Sequence, residues 1–270
     1  MLIDTHVHLD EFQNKEVSDI LDRAFDVGVG FVISAGTTIE TSYRSIELSN
    51  IFDRFFSGVG VHPMDIKTRL NEEDFQMITK LASENDKVVV ISEIGLDYLD
   101  GMPDREWQFN AFRSQIGIAR ELDLPIVFHS RQAHVDSLRV LREERAFDVG
   151  GIMHYFQGSI EDAKQAIDLG FYISIARPLF RIAELKTVVK ELPLENLVIE
   201  TDSFPQYFKK NRNNWTEPRH LRPIIDEISR IKDEDATHIE NMIFNNTKKI
   251  LTKKWSLIAK YIPEVSNNYL

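Results

Sequence analysis

Short apolar runs rich in Val, Ile and Phe recur along the chain, separated by longer segments in which apolar residues return every three or four positions. The first pattern fits buried strands and the second fits helices with one apolar face, so the chain reads as repeated βα units. Eight runs are expected as strands, at 2–6, 31–34, 56–61, 88–93, 126–129, 151–154, 171–175 and 197–201. Helix punctuation falls between them. Ser159 stands three residues before Asp162 as an N-terminal cap and Gly170 closes that segment, while a helix over 16–27 stops at Gly28. Val135, Leu138 and Leu141 form an apolar stripe expected to pack on the sheet. Eight parallel strands predict a closed α/β architecture, the (β/α)8 TIM barrel, and 270 residues suit one such barrel or two smaller domains. The alternation crosses the midpoint with no linker rich in Gly, Ser or Pro, which favours a single domain over residues 1–270.

Composition narrows the class. At 43% hydrophobic and 28% charged residues the chain has enough apolar side chain for a large core, which excludes disorder, collagen and coiled coil. No uncharged apolar run approaches the roughly 18 residues of a membrane span. The start Met1-Leu2-Ile3-Asp4-Thr5-His6 has neither the basic nor the apolar region of a signal peptide, so a cytoplasmic location is expected. With no cysteine, disulfides, thiolate metal sites and a cysteine nucleophile are excluded. Against 32 Lys and Arg stand 43 Asp and Glu, a net charge of −11 whose overall field repels nucleic acid. Any polyanion must be met by local positive charge or by metal.

Barrel enzymes carry their chemistry at the C-terminal ends of the strands. There the sequence sets His6 and His8, His62 beside Pro63, Glu93, His129 with Ser130 and Arg131, His154, and Glu200 with Asp202, including five of the eight histidines. Two apart on a strand, His6 and His8 point into the barrel while Val7 faces the helices. Alone that pair is a weak signal. Its convergence with Glu93, His129, His154 and Asp202 is a strong one, because buried imidazoles and carboxylates are costly without partners. Mixed nitrogen and oxygen donors suit zinc, manganese or iron, and six donors favour two ions over one. Glu93, across the barrel from His6 and His8, is the candidate bridge, holding the ions about 4 Å apart, a separation suited to in-line displacement at phosphorus. Asp202 is placed to bind one ion and to accept a proton from the attacking water; the plainer alternative is a cap before a loop. Asp4 and Glu200, one layer below His6 and Asp202, are expected to orient ligands or to form buried ion pairs.

Further residues border this set. His62 stays open between ligand, substrate contact and core histidine. Arg131, two residues past His129, offers a fork for phosphate, or is a solvated rim arginine. After the last strand, residues 203–215 interleave aromatics with Lys209, Lys210 and Arg212, the nearest clustered positive charge to Asp202 in sequence. Such a segment stacks bases and holds phosphates, or is a lid whose aromatics pack on the barrel. Tyr155 and Phe156 add aromatic surface to the same rim. Lys248, Lys249, Lys253 and Lys254 suit a solvated helix face, and His134, His220 and His238 are expected at the surface.

These segments resemble the TatD family of metal-dependent deoxyribonucleases, within the amidohydrolase-like barrels. The resemblance rests on Asp4-Thr5-His6-Val7-His8-Leu9-Asp10, Gly60-Val61-His62-Pro63, Glu93-Ile94-Gly95-Leu96-Asp97-Tyr98, Pro125 through His129-Ser130-Arg131, His154-Tyr155-Phe156-Gln157-Gly158-Ser159 and Glu200-Thr201-Asp202-Ser203. They follow family order and span Met1 to about Leu251. The resemblance implies that His6, His8, Glu93, His129, His154 and Asp202 bind two divalent ions (Mg, Mn or Zn), with Glu93 shared. It also implies phosphodiester hydrolysis in DNA by a metal-activated water, usually as a 3′ to 5′ exonuclease on single-stranded or frayed ends. Some relatives instead remove D-amino acids from tRNA, an ester hydrolysis open to the same site. Ser92 replaces the family's usual Gly, and Phe204-Pro205-Gln206-Tyr207-Phe208 replaces a commoner Pro-Tyr-Leu pattern; neither removes a proposed ligand. Residues 252–270 extend past the family pattern. A hydrolase of carboxyl esters or amides and a non-catalytic metal scaffold are the competing readings, and Asp202 beside a full ligand set disfavours the scaffold.

Overall fold

A computed structural model describes residues 1–262. Its single sheet holds eight parallel strands in sequence order: β1 (Leu2–Val7), β2 (Val29–Ala35), β3 (Phe55–Val59), β4 (Val88–Asp97), β5 (Ile126–Arg131), β6 (Gly151–Met153), β7 (Phe171–Ile175) and β8 (Leu197–Ile199). Helices return the chain between strands, as parallel neighbours require. At the seam Val7 bridges Ser203 in parallel, so the sheet forms the nearly closed TIM barrel that the pattern predicts.

Strand ends differ from expectation where they matter most. β4 is 10 residues long and continues to Asp97, while β6 and β8 stop before His154 and Asp202, and His62 lies in the loop after β3. Backbone bonds still hold these last two ends, His154 N–H to Phe128 O at 3.1 Å, Glu200 N–H to Ile175 O at 3.2 Å and Asp202 N–H to His6 O at 3.0 Å. The Ser159–Asp162 capping box forms, opening the helix Ile160–Asp168, and Gly170 follows it with φ +81°. The first helix covers Asn14–Phe25, ending before Gly28 at φ +89°. Val135 departs from the expected stripe: it is 80% exposed, and the helix His134–Glu143 buries Ser137, Leu138, Val140 and Leu141. Each step of three residues falls about 60° short of a full turn, which carries Val135 off the face defined by the later pair.

Inside the barrel an apolar layer joins Ile3, Phe31, Phe56, Val89, Val127, Ile152 and Val198 near the strand starts. Leu251 and Ile258 complete it, and the helix Thr252–Ile258 plugs this N-terminal end, with Trp255 packed 6.3 Å from Phe31 and 5.6 Å from Phe244. The stretch past the family pattern thus closes the barrel floor through residue 262; residues 263–270 lie outside the described residues. A second cluster packs the helices on the outer face of the sheet.

Strands β1 and β4 do not keep strict alternation. In β1 the inner layer takes Ile3 while Val7 joins the outer cluster, and the pairing with β2 shifts register between Asp4 and Val7. In β4 both Val89 and Val90 face the inner layer, and the pairing with β5 shifts between Ile91 and Ile94. Such irregularities re-aim side chains near functional sites. Here they flank the residues that turn His6, His8 and Glu93 inward.

Candidate metal centre

Above the apolar layer five imidazoles surround one carboxylate. Glu93 Oε2 lies 3.2 Å from His6 Nε2 and 3.5 Å from His8 Nε2. Its other oxygen, Oε1, lies 3.2 Å from His62 Nε2, 3.1 Å from His129 Nδ1 and 3.0 Å from His154 Nε2. Asp202 Oδ1 stands 3.3 Å from His8 Nε2. Three donor groups are close enough to hold an ion: His6, His8 and Glu93; His6, His154 and Asp202; and His62, Glu93 and His129. The His6 and His8 Nε2 atoms are only 3.1 Å apart, and the buried His6 Nδ1 has no partner among the described residues. So many lone pairs directed into one small buried volume suit divalent cations, and borderline ions accept this nitrogen and oxygen mixture.

The surrounding contacts orient these donors. His8 Nδ1 is 3.2 Å from Ala35 O, which leaves Nε2 facing the centre. Asp97 Oδ2 lies 2.9 Å from His129 Nε2 and accepts from Arg131 Nε at 2.8 Å, while Asp97 Oδ1 accepts from Leu99 N–H at 3.1 Å. Between Glu93 and Asp97, Gly95 adopts φ +147°, and a Cβ there would stand 2.0 Å from His129 O. Only glycine lets β4 approach β5 this closely. Glu200 Oε1 lies 2.9 Å from His154 Nδ1 and accepts from Tyr155 N–H, and its Oε2 accepts from the Ser174 hydroxyl at 2.6 Å. Glu200 therefore sits against His154 as an ion-pair neighbour, and not against the Asp202 two residues on. Asp4 likewise accepts from Thr201 N–H at 2.9 Å and from the Thr201 hydroxyl, so it holds the turn into Asp202, not the His6 ring.

Charge follows from this crowding. Burial alone raises the Glu93 carboxyl, but His154, His62 and His6 hold it well below the usual carboxylate range. Against the cost of burial, Asp202 and Glu93 push His8 up to about 9, and Glu93 and Glu200 raise His154. His6 and His62 go the other way, lowered chiefly by burial. Burial opposes ionisation of Asp202 as well, yet His8 keeps its carboxyl below the ordinary value.

The centre opens into a cleft of about 850 Å³ that also presents Asp10, Arg131, His134, Tyr155 and Phe204. His134 is thus a cleft residue and not a surface one; its Nδ1 lies 2.8 Å from Ser130 Oγ, and its ring stacks on Phe156 at 6.3 Å. His220 is also half-buried, its Nδ1 accepting from Glu217 N–H, whereas His238 is exposed. The basic segment after β8 divides. Lys209 and Lys210 border a separate cavity, and Arg212 turns away to Glu217 and Glu16. Arg131 reaches the cleft but commits Nε and Nη2 to Asp97, the latter at 2.6 Å. Strand-end position does not single out Asp97 or Asp10. Asp97 keeps an even spacing from Glu93, which counts only because β4 runs past residue 93.

Residues 3–252 match a family model described as TatD related DNase. Over 256 residues the chain is 36% identical to the uncharacterized metal-dependent hydrolase YabD of Bacillus subtilis, covering 93% of this chain and 98% of that protein. It is 31% identical over 243 residues to the 3'-5' ssDNA/RNA exonuclease TatD of Shigella flexneri, covering 87% of this chain and 93% of that one. Among solved structures, YJJV, a TatD homolog from Escherichia coli, superposes with a TM-score of 0.85 at 26% identity, covering 93% of this chain and 98% of that chain.

Proposed function

The chain belongs to the TatD related DNase family, whose members similar to it are metal-dependent hydrolases, and from this premise we propose that it cleaves phosphodiester bonds in single-stranded or frayed DNA, in the 3′ to 5′ direction. The observation that supports this reading is the division of five histidines between the two oxygens of Glu93. A carboxylate flanked in this way suits a bridge between two ions, the arrangement that clamps both oxygens of an in-line displacement. His6, His8 and Asp202 serve one side of Glu93, and His129 and His154 the other. Bound there, Mg, Mn or Zn would neutralise charge on the phosphate and acidify a water.

The protein's own groups do the rest. Ionised Asp202 sits at the cleft edge, ready to take the proton of the attacking water. Asp97 fixes the ring of His129, and Glu200 sits against His154. His62 has its Nδ1 occupied by Met64 N–H and presents Nε2 to Glu93, so it closes the Oε1 side either as a donor or against substrate. Arg131, braced by Asp97 at the cleft wall, supplies positive charge for a phosphate.

Incubating the protein with labelled single-stranded oligonucleotide and with aminoacylated tRNA, each with several divalent ions, tests the proposal. Stepwise shortening from the 3′ end is expected. Release of a D-amino acid from tRNA with the oligonucleotide intact would replace it by carboxyl-ester hydrolysis. Asp202→Asn should lower turnover about a hundredfold or more, with metal content falling less steeply; near wild-type turnover would assign proton transfer elsewhere.

A further inference from the structure

Beside the metal cleft lies a second cavity of about 670 Å³, bordered by Arg177, Phe180, Lys209, Lys210 and His220. Its charge is organised differently from that of the neighbouring loop. Arg23, Arg212 and Arg219 all converge on the buried Glu217, at 2.8, 2.9 and 3.1 Å. Among the described residues Arg177, Lys209 and Lys210 pair with no carboxylate. Their partners are neutral: Arg177 Nη1 donates to Thr216 Oγ1 at 3.2 Å, and Lys209 Nζ to Asn214 O at 2.9 Å. Burial first, then the Arg177 guanidinium, lower both Lys209 and His220 from their ordinary values. On a chain of net charge −11, with 43 acidic residues to draw on, a basic cavity left without a carboxylate favours an anionic ligand.

Aromatic rings connect this cavity to the metal centre. Phe204 borders the cleft beside Asp202, and its ring lies 6.4 Å from that of Phe208. Lys209 Nζ lies 5.9 Å from the Phe208 ring, at the cavity edge. Tyr207 and Phe208 are 76% and 73% exposed. Exposed rings beside a basic groove form a platform on which bases stack while the backbone follows the positive charge.

We propose that the cavity around Arg177, Lys209 and Lys210 is a second binding site, which takes phosphates of a single nucleic-acid strand several nucleotides from the bond in the metal cleft, with bases lying on Phe208 and Tyr207 between. This deepens the reading given above and rests on it for the strand's reactive end. It predicts affinity that grows with strand length, because a strand held in the cleft must pass the Phe204 and Phe208 rings before it meets Lys209.

Fluorescence anisotropy with phosphorothioate-linked oligothymidylates of two, four and ten nucleotides, which resist cleavage, tests this on the metal-loaded protein. The triple variant Arg177→Gln, Lys209→Gln, Lys210→Gln should bind the longest strand about tenfold or more weakly and lower the slope of its log–log salt dependence by about two, the value for three phosphate contacts on a single strand. Its dinucleotide affinity should change less than about twofold. A charge-matched variant, Lys80→Gln, Lys164→Gln, Lys190→Gln, alters exposed helix positions and should leave the length dependence in place. Equal losses at every length, losses no larger than those of the charge-matched variant, or wild-type protein that binds no oligonucleotide would each overturn the proposal. Length-dependent binding lost in the triple variant, together with no cleavage of ordinary oligonucleotides, would sink the proposed nuclease activity and leave the second site standing.

Discussion

At the floor of the barrel Phe31, Phe56, Val89, Val127 and Ile152 meet Leu251 and Ile258, while at the mouth of the same strands Glu93, His129 and His154 line the cleft over the buried His6. The floor is made of groups that gain by leaving water, each about 1.5–3 kcal/mol on full burial. The mouth is made of groups that lose by it unless they are paired. Glu93 and Asp202 remain ionised there only because imidazoles crowd them, and the raised His8 and His154 balance the lowered His6 and His62. One end therefore holds the fold, and the other gathers side chains that could hold an ion.

Substitutions that treat the two ends alike would break this contrast. The largest effect is expected from Glu93→Gln, which should abolish activity and sharply reduce bound metal while leaving circular dichroism unchanged, since a neutral amide bridges ions poorly. Elemental analysis alongside the assay checks this, and full activity after prolonged chelation, with no metal detected, would remove metal from the mechanism. At the floor, Phe56→Ala should do the reverse. Phe56 is fully buried, 5.2 Å from Phe31 and 6.1 Å from Tyr261, so truncation should cost about 3–5 kcal/mol in urea unfolding. Activity per folded molecule should survive.

Glu200→Gln sharpens the comparison, because it alters a fully buried residue that touches a candidate ligand but lies outside the donor set. Metal affinity should fall roughly 10- to 100-fold, read by titration against a chromogenic chelator, with the fold retained. Unchanged affinity would show that His154 is held by packing alone.

The smallest effect is one of pH. A histidine raised in the folded state gives stability that is complete below its unfolded value and is lost as pH rises through its folded one. For His8 that window runs from 6.5 to about 9 in metal-free protein, and His154 acts in the same sense. His6 and His62, lowered on folding, act oppositely but are already neutral in both states above 6.5. The melting temperature of chelated protein should therefore drop by a few degrees across this window, less so in Asp202→Asn. A flat profile would mean that the mouth contributes nothing to stability without metal.

Much of the cluster around Glu93 could be read along the chain because each residue stands at the end of an apolar run, and a βα repeat brings every such end to one face. His6 with His8, Glu93, His129, His154 and Asp202 all reach that face. Asp97 could not be read in the same way, since its place depends on β4 continuing past a register shift. Nor could the second cavity, where residues from the turn after β7 meet the loop after β8.

Apolar periodicity, strand-end chemistry and helix caps are local properties, and the sequence by itself determined the barrel, the order of its strands and the kinds of donor at its mouth. Tertiary structure alone decided which oxygen of Glu93 faces which histidine, that Glu200 sits against His154 while Asp4 holds Thr201, and that Arg212 turns to Glu217 whereas Lys209 joins Arg177. Those choices are pairings between residues far apart in the chain. They are fixed by register shifts and by competition among neighbours for a few carboxylates, and neither leaves a periodic trace in the sequence.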